Sequence, residues 1–200
     1  MFKNFLFIFL VLSHKFCAFL TDHVPLPFNG KCPRFDHCTD KGLIYDPKQI
    51  VGYNYLISSV PYFFQVEEKC TWYNFTEYSN SSLLMQKYET NILTNKLRQT
   101  NGILEYKSDG NTFVKYTDLE IPFNFKTVRV TPDYHVVVGC NDCGFLSKTG
   151  AGVYAYGFSK VPWPSCKIIQ AITEKFEECG IQKKYIKIEN QDGCGQCRKL

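Results

Sequence analysis

Two Cys-x-x-Cys pairs, Cys140 with Cys143 and Cys194 with Cys197, have the spacing that metal and redox sites use. Four thiolates in two such pairs could hold a structural zinc ion. A single pair could act as a thiol oxidoreductase, but a helix N-terminus would be needed to lower the pKa of its first thiol, and no helix is predicted after Cys194. Structural disulfides are the third use of such cysteines and the common one in secreted chains. The choice therefore depends on the compartment.

The N-terminus predicts a secreted, extracellular protein. Lys3 is followed by an unbroken apolar run over residues 5–12 and then by the small pair Cys17-Ala18, a pattern typical of a cleaved signal peptide. The run is far shorter than the roughly 20 residues that span a bilayer. We therefore expect a signal peptide over residues 1–18 and no membrane span.

Two further features fit secretion. Asn74-Phe75-Thr76 and Asn80-Ser81-Ser82 are acceptor sequences for N-glycosylation, so Asn74 and Asn80 are candidate glycosylation sites. Nine of the ten cysteines remain after cleavage, a density typical of an oxidising compartment. We therefore expect disulfides, rather than a metal site or a redox centre, at the Cys-x-x-Cys pairs.

Other catalytic chemistry lacks the residues that it needs. His23 and His37 lie in the leader, and His135 lies within a predicted strand, where a hydrogen-bonded structural role is the common one. The sequence has no serine-nucleophile motif, no paired catalytic carboxylates and no glycine-rich phosphate loop. The formal charge of +4 loses Lys3 and Lys15 with the signal peptide, and the remaining charges are scattered. We expect no enzyme, no cofactor and no nucleic-acid partner.

The chain from Gly52 to Lys160 predicts a sheet of about eight strands. Short segments rich in β-branched and aromatic residues alternate with turn signals. No helix is predicted between them, which favours a barrel or sandwich over an α/β fold. The predicted turns are residues 79–82, 100–102, 108–111, 131–133 and 148–152.

One helix is predicted near the C-terminus. Ser165 suits the N-cap, and Gly180 suits the position after the last turn. One helical stripe between them carries Ile168, Ile169, Ile172, Phe176 and Cys179. A last strand over residues 185–188 follows. Residues 19–200 are thus predicted to form one domain, with a cysteine-bearing leader, the sheet, the helix and a tail.

The acceptor sequence at Asn74 orients the predicted second strand. A glycan cannot point into a barrel, and side chains alternate along a strand. The outer face would then carry Cys70, Trp72 and Thr76, and the inner face would carry Thr71, Tyr73, Phe75 and Glu77. Tyr73 and Phe75 are therefore candidates for the wall of a cavity. The aromatic residues, 16% of the chain, could line such a cavity or fill it.

The order of five features resembles the lipocalin family, in particular its apolipoprotein D and insect bilin-binding branch. They are Lys31-Cys32-Pro33, Gly52 at the first strand, the Cys-x-x-x-Asn-x-Thr pattern of residues 70–76, Asp133-Tyr134 between two late strands, and a single helix before a last strand. The resemblance implies an all-β fold, an eight-stranded antiparallel up-and-down β-barrel with one external C-terminal α-helix. It also implies that the barrel binds and transports a small hydrophobic ligand such as a lipid, sterol, retinoid or pigment, with Tyr73 and Phe75 in the ligand site.

The chain departs from the family at the closed end of the barrel. The usual Gly-x-Trp motif reads Gly52-Tyr53-Asn54, and the usual arginine at the end of the eighth strand is Lys160. In the family the tryptophan and the arginine pack together, a cation over an aromatic face. The double change could replace that contact with one between an amide and an ammonium group, or the base could be built differently. A further motif, Thr-Asp-Tyr, is interrupted by Pro132.

The resemblance also implies two disulfides, Cys32 with Cys140 and Cys70 with Cys194 or Cys197. Within the predicted helix, Cys166 and Cys179 cannot pair, because about 1.5 Å of rise per residue separates them by roughly 20 Å, well above the roughly 7 Å limit on the Cα separation of a disulfide. Each needs a partner outside the helix, and Cys38 is a candidate for Cys166. Nine is an odd number, so one thiol stays free or pairs between chains, and a disulfide-linked or non-covalent oligomer is one outcome.

A second class of function remains open from the sequence. The barrel could be a rigid scaffold with a filled interior, as in a secreted disulfide-rich inhibitor or effector. The two classes differ in whether the purified protein carries an extractable apolar molecule.

Overall fold

The computed structural model describes residues 32–60, 68–107, 109–117, 123–141, 152–189 and 191. The predicted signal peptide lies outside these ranges. Within them, the strands are β1 (Gly52–Val60), β2 (Glu68–Ser79), β3 (Ser82–Asn91), β4 (Leu97–Tyr106), β5 (Asn111–Tyr116), β6 (Phe123–Val130), β7 (Tyr134–Asn141), β8 (Gly152–Ser159) and β9 (Lys187–Ile188). The helices described are α1 (Cys166–Glu178) and the 3-10 helices Asp36–Cys38, Pro47–Ile50 and Lys183–Tyr185.

The first eight strands close into an antiparallel barrel. Neighbours in the chain from β2 to β8 pair with each other, β8 pairs with β1, and β1 pairs with β2 to close the ring. The short strand β9 pairs with the second half of β1. The predicted fold class is therefore confirmed. The last strand is shorter than predicted, because Lys183–Tyr185 forms a 3-10 helix.

One of the predicted turns is wrong. Residues 100–102 lie in the middle of β4, and the chain instead reverses between β3 and β4 at residues 92–96. A Cβ atom at Gly102 would lie 2.9 Å from the Lys115 carbonyl oxygen and 2.9 Å from Met85 Cε. This glycine therefore marks a close approach of packed atoms within the sheet, which is the other common reason for a glycine in a strand.

Helix α1 lies outside the barrel, as predicted. It begins after the N-cap Ser165 and is followed by Gly180, whose φ of 84° is in the left-handed region that glycine adopts without strain. Ile172 and Phe176 on its apolar stripe are fully buried. Gly157 of β8 makes room for the helix, because a Cβ atom there would lie 2.1 Å from Ile172 Cγ2.

Two disulfides fasten the leader. Cys32 bonds to Cys140 of β7, with the Cα atoms 5.5 Å apart, which is the pairing that the resemblance implies. Cys38 bonds to Cys179, with the Cα atoms 5.0 Å apart. The predicted pairing of Cys38 with Cys166 is therefore wrong. Cys166 is a free, exposed thiol at the start of α1, whereas Cys179 is fully buried at the other end, against the same core cluster as Cys38.

Charged groups hold the leader in place beside these disulfides. The Asp40 carboxylate accepts hydrogen bonds from Arg129 Nε at 2.8 Å and Nη2 at 2.9 Å, and it pairs with Lys175 Nζ at 2.8 Å. The bonds from Arg129 hold the pKa of Asp40 below its usual value. Lys175 is buried and also donates to the Cys38 carbonyl oxygen at 3.0 Å. The leader is thus bonded to both the barrel and the helix.

Candidate functional site

The interior of the barrel changes from apolar to charged along its strands. We call the end that holds the Pro47–Ile50 helix and the β2–β3 turn the base, and the opposite end the rim. Leu83, Met85, Lys87 and Glu89 alternate along β3 from base to rim, and all four are buried. Period-2 alternation places them on the same face. Leu83 and Met85 belong to the apolar cluster inside the barrel, so Lys87 and Glu89 also point inward.

A small cavity lies in the apolar part of this interior. Its volume is about 40 Å³, roughly the share of one or two water molecules in the liquid. Tyr73 and Phe75 are buried in its wall, together with Met85, Val114 and Phe158. The structure thus places both of the candidate residues at the cavity. That they contact a ligand stays a prediction.

Aromatic rings pack against one another in the interior around this cavity. Phe125 and Tyr154 meet edge to face with their centroids 5.0 Å apart, and Tyr73 meets Phe158 in the same way at 5.2 Å. Tyr154 is fully buried, and its hydroxyl donates to the Asn124 carbonyl oxygen at 2.8 Å. Sites for drug-sized ligands have volumes of about 300–1,000 Å³. A ligand of that size fits here only if some of these rings rotate.

Three charged side chains form a cluster toward the rim, which we call the inner triad: Glu68, Lys87 and Glu89. Lys87 Nζ donates to Glu68 Oε2 at 2.6 Å and also contacts Glu89 Oε2. The exposed fractions of the three side chains are 14%, 7% and 5% in chain order. Arg98 of β4 lies at its edge, with Nη1 3.8 Å from Glu89 Oε1, and is 64% exposed. The triad therefore buries two carboxylates with one ammonium group.

Burial sets the protonation of the triad. It raises the pKa of the Glu68 carboxyl to about 7, because the attraction of Lys87 offsets only part of the loss of water. For Lys87 burial acts in the opposite direction, but the attraction of Glu68 and the other acidic groups nearby outweighs it, so the pKa of the ammonium group lies above its ordinary value. Lys87 is thus charged near neutral pH, and Glu68 keeps its proton to a higher pH than an ordinary carboxyl group does.

Two tyrosines connect the triad to the cavity. Tyr73 of β2 and Tyr116 of β5 both line the cavity, and Tyr73 is the cross-strand partner of Lys87. Burial raises the pKa of both phenols. They therefore remain neutral hydrogen-bonding groups between the apolar base and the charged rim.

The base is bonded through a short stretch of backbone, residues 50–52. Asn54 Nδ2 donates to the carbonyl oxygens of Ile50 at 2.7 Å and Gly52 at 2.8 Å, and Lys160 Nζ donates to that of Val51 at 3.1 Å. By the resemblance alone, a tryptophan is expected at position 54 and an arginine at position 160. Together the side chains of Asn54 and Lys160 thus bond all three carbonyl groups of residues 50–52.

His135 is a titratable group at the bottom of the cavity. It lines the cavity and stacks on Phe158 with the ring centroids 4.6 Å apart. Burial, together with the nearby charge of Lys160, lowers its pKa to about 3. The imidazole is therefore neutral at physiological pH, which agrees with a structural role rather than with that of a general base poised near neutrality.

The other sequence-predicted residues lie along β2 and in the turn that follows it. Asn80 is exposed in the β2–β3 turn, and Asn74 is half-buried with its amide donating to Gln86 Oε1 at 3.2 Å. Glu77, which the alternation assigns to the inner face, is exposed, as are the other three residues at the end of β2. Cys70 is in a disulfide. Its expected partners, Cys194 and Cys197, lie outside the described residues.

The described residues contain no group of three or more His, Cys, Asp or Glu side chains arranged to hold a metal ion. Cys140 is bonded to Cys32, so the first Cys-x-x-Cys pair is not a zinc or redox pair. In the same part of the chain, no helix has the length and apolar character to cross a bilayer.

The sequence matches no protein-family model and no curated protein. Insecticyanin from the tobacco hornworm Manduca sexta is similar in structure, with a TM-score of 0.67 at 13% identity, covering 84% of this chain and 89% of that one. The bovine lipocalin allergen Bos d 2 is similar with a TM-score of 0.55 at 14% identity, covering 72% of this chain and 94% of that one. The siderocalin Ex-FABP, which functions through dual ligand specificities, is similar with a TM-score of 0.56 at 11% identity. The match covers 72% of this chain and 97% of that one.

The fold is that of the lipocalins. The identities are too low to transfer a ligand, and the branch of the family stays a prediction. The inner triad is the part of the site that sequence reasoning missed. Its signal is the alternation of Leu83, Met85, Lys87 and Glu89, which puts two charges on the same face as two apolar residues.

Proposed function

We propose that the protein is a secreted lipocalin that binds and transports a small hydrophobic or amphipathic molecule inside its barrel, with Tyr73 and Phe75 in contact with the ligand. The observation that carries the proposal is the interior itself. A cavity bounded by apolar and aromatic side chains lies beneath a buried charged cluster. A lipid, sterol, retinoid or pigment offers the apolar surface that such a cavity binds.

Secretion and glycosylation belong to the same proposal. The two disulfides of the leader support an oxidising compartment. Asn80 is exposed in a turn, and Asn74 lies on the outer face of the barrel, so glycans at Asn74 and Asn80 would leave the interior free.

One observation favours the second candidate function, a scaffold with a filled interior. The cavity of about 40 Å³ is smaller than the roughly 300–1,000 Å³ of drug-sized ligand sites. In that case the surface of the barrel, rather than its interior, would carry the function, as in a secreted inhibitor or effector.

Native mass spectrometry and calorimetry separate the two functions. Protein purified from its own source is examined for a bound molecule and then titrated with a fatty acid, a sterol, a retinoid and a bilin. Tryptophan fluorescence is a poor reporter here, because Trp72 packs on the outer face against Tyr88 and Trp163 is exposed. Saturable binding of any panel member supports the interior site, and indifference to all four with no co-purified molecule contradicts it.

A blocking variant locates the binding. Val114 lines the cavity, and Lys115 is exposed on the other face of the same strand. Val114→Phe places an added ring in the cavity and is expected to abolish binding, with an overpacking cost of about 1–3 kcal/mol in stability. Lys115→Phe adds the same ring outside and is expected to leave the affinity unchanged. Equal binding by the two variants would place the ligand elsewhere.

A further inference from the structure

We propose, building on the proposed function, that the inner triad of Glu68, Lys87 and Glu89 selects a ligand that carries a protonated amine on a small apolar or aromatic body. The proposal names the ligand class for the interior site. It rests on where the triad lies, on its charge balance and on the groups around it.

The triad lies where the polar end of a bound molecule would be. Lys87 and Glu89 follow Leu83 and Met85 along the inner face of β3, and each two-residue step rises about 6.6 Å. A molecule with its apolar end among the cavity residues would therefore reach the triad with a group only a few bonds away. Tyr73 lines that path and pairs across the strands with Lys87.

The charge of the triad favours a cation. Two carboxylates share one buried ammonium group, and Arg98 is 64% exposed at 3.8 Å, so water screens its charge. An added ammonium group would balance the buried charges two against two. An added carboxylate would place three anions around Lys87, which a poorly solvated site disfavours strongly.

The state of Glu68 fits the same ligand. At neutral pH this carboxyl holds a proton for part of the time, because its pKa is raised to about 7 by burial. A ligand ammonium group could take the place of that proton, and the proton would be released on binding. The surroundings are aromatic, which favours the binding of cations. They include the neutral phenols of Tyr73 and Tyr116 and the ring of Phe123, whose centroid lies 5.7 Å from that of Tyr116.

Stability alone gives a weak reason for the triad. Buried ion pairs are often no more stabilising than well-packed apolar residues of similar volume, and the neighbouring inner positions of β3, Leu83 and Met85, are apolar. Three charged groups at this depth are better explained by recognition of a charged molecule.

The test is a titration calorimetry series with one apolar body and three head groups. The probes are 2-phenylethylamine, 2-phenylethanol and 3-phenylpropanoate, titrated near pH 8 into the intact protein. We expect the amine to bind at least about tenfold more tightly than the alcohol, the ratio typical of one hydrogen bond to a charged group, and the carboxylate to bind most weakly. Near pH 7, amine binding should release protons into the buffer, and alcohol binding should release none.

Glu89→Gln removes one charge of the triad with little change of shape. It is expected to weaken amine binding about tenfold and to leave alcohol binding unchanged. Glu105→Gln is the matched control, since Glu105 is exposed on β4. If Glu89→Gln does not fold, the comparison of amine and alcohol in the unmodified protein decides alone.

The possible failures are distinguishable. Equal affinity for amine and alcohol, or tightest binding of the carboxylate, overturns the amine proposal and leaves the interior ligand site standing. The same holds if none of the three probes binds while a neutral lipid or pigment does. Indifference to every probe and to the whole lipid and pigment panel overturns both proposals.

Discussion

The clearest test of the cavity's base is the stability of the protein in acid, because His135 lies there in a neutral state. Its pKa is lowered from 6.5 to about 3, first by burial and second by the charge of Lys160. Below about pH 6.5 the unfolded chain therefore binds a proton at this residue, whereas the folded protein does not until the pH approaches 3. The contribution of neutral His135 to stability is complete above that pH and is lost as the pH falls toward 3.

The magnitude follows from the two pKa values. Between about pH 8 and about pH 5, a shift from 6.5 to about 3 lowers the free energy of unfolding by about 2 kcal/mol. Glu68 acts in the opposite direction. Because its folded pKa is raised from 4.5 to about 7, the folded protein is stabilised by protonation as the pH falls through that window. The two groups must therefore be separated by a variant.

His135→Met removes the titration and keeps an adaptable apolar side chain beside Phe158. Urea unfolding of both proteins near pH 8 and near pH 5 gives the difference in their free energies of unfolding. Glu68 is unchanged in both proteins, and it lies near the rim whereas His135 lies near the base. The contribution of Glu68 therefore cancels in the difference between the two free energies of unfolding. We expect the variant to gain about 2 kcal/mol on the wild type between the two pH values. An equal difference at both would refute the assignment of a buried neutral histidine.

Two further predictions concern the helix. Gly157→Ala places a Cβ atom 2.1 Å from Ile172 Cγ2 and should lower the free energy of unfolding by about 1–3 kcal/mol. In an Ile172→Ala background the same change should lower it far less. Equal losses of stability in the two backgrounds would show that α1 does not pack on β8 as described. Iodoacetamide added to the folded protein without reductant should label the exposed Cys166 and spare Cys38 and Cys179; peptide mapping that recovers Cys38 linked to Cys166 would contradict the disulfide assignment.

The helix could be predicted to within a residue because its signals are local. Ser165 at the N-cap, Gly180 after the last turn and the apolar stripe between them are all contained in one short segment. The barrel could be predicted as a class for a similar reason, since each strand and most turns carry their own pattern. The pairing of Cys38 could not, because it depends on how two elements 141 residues apart pack together.

The place of Glu68 in the inner triad could not be predicted, for a related reason. Strict alternation from Asn74 puts Glu68 on the outer face of β2, together with Cys70. The structure has a bulge in the pairing of β2 with β3 between Lys69 and Trp72, and Cys70 has a φ of 55° there. A bulge inserts one residue and reverses the face of those beyond it. Glu68 therefore points inward and contacts Lys87. No local sequence pattern predicts this bulge.

The base of the barrel is held by hydrogen bonds from Asn54 and Lys160. Buried carbonyl groups must be bonded, because leaving one without a partner costs about 1–3 kcal/mol. Asn54 supplies donors to two carbonyls of residues 50–52 and Lys160 supplies one to the third. The arrangement is imperfect, since the buried Asn54 Oδ1 accepts no hydrogen bond from the part of the chain that the structure describes, but it ties the 3-10 helix to both strand ends. Asn54 and Lys160 thus bond the backbone carbonyl groups at the point where the chain enters β1.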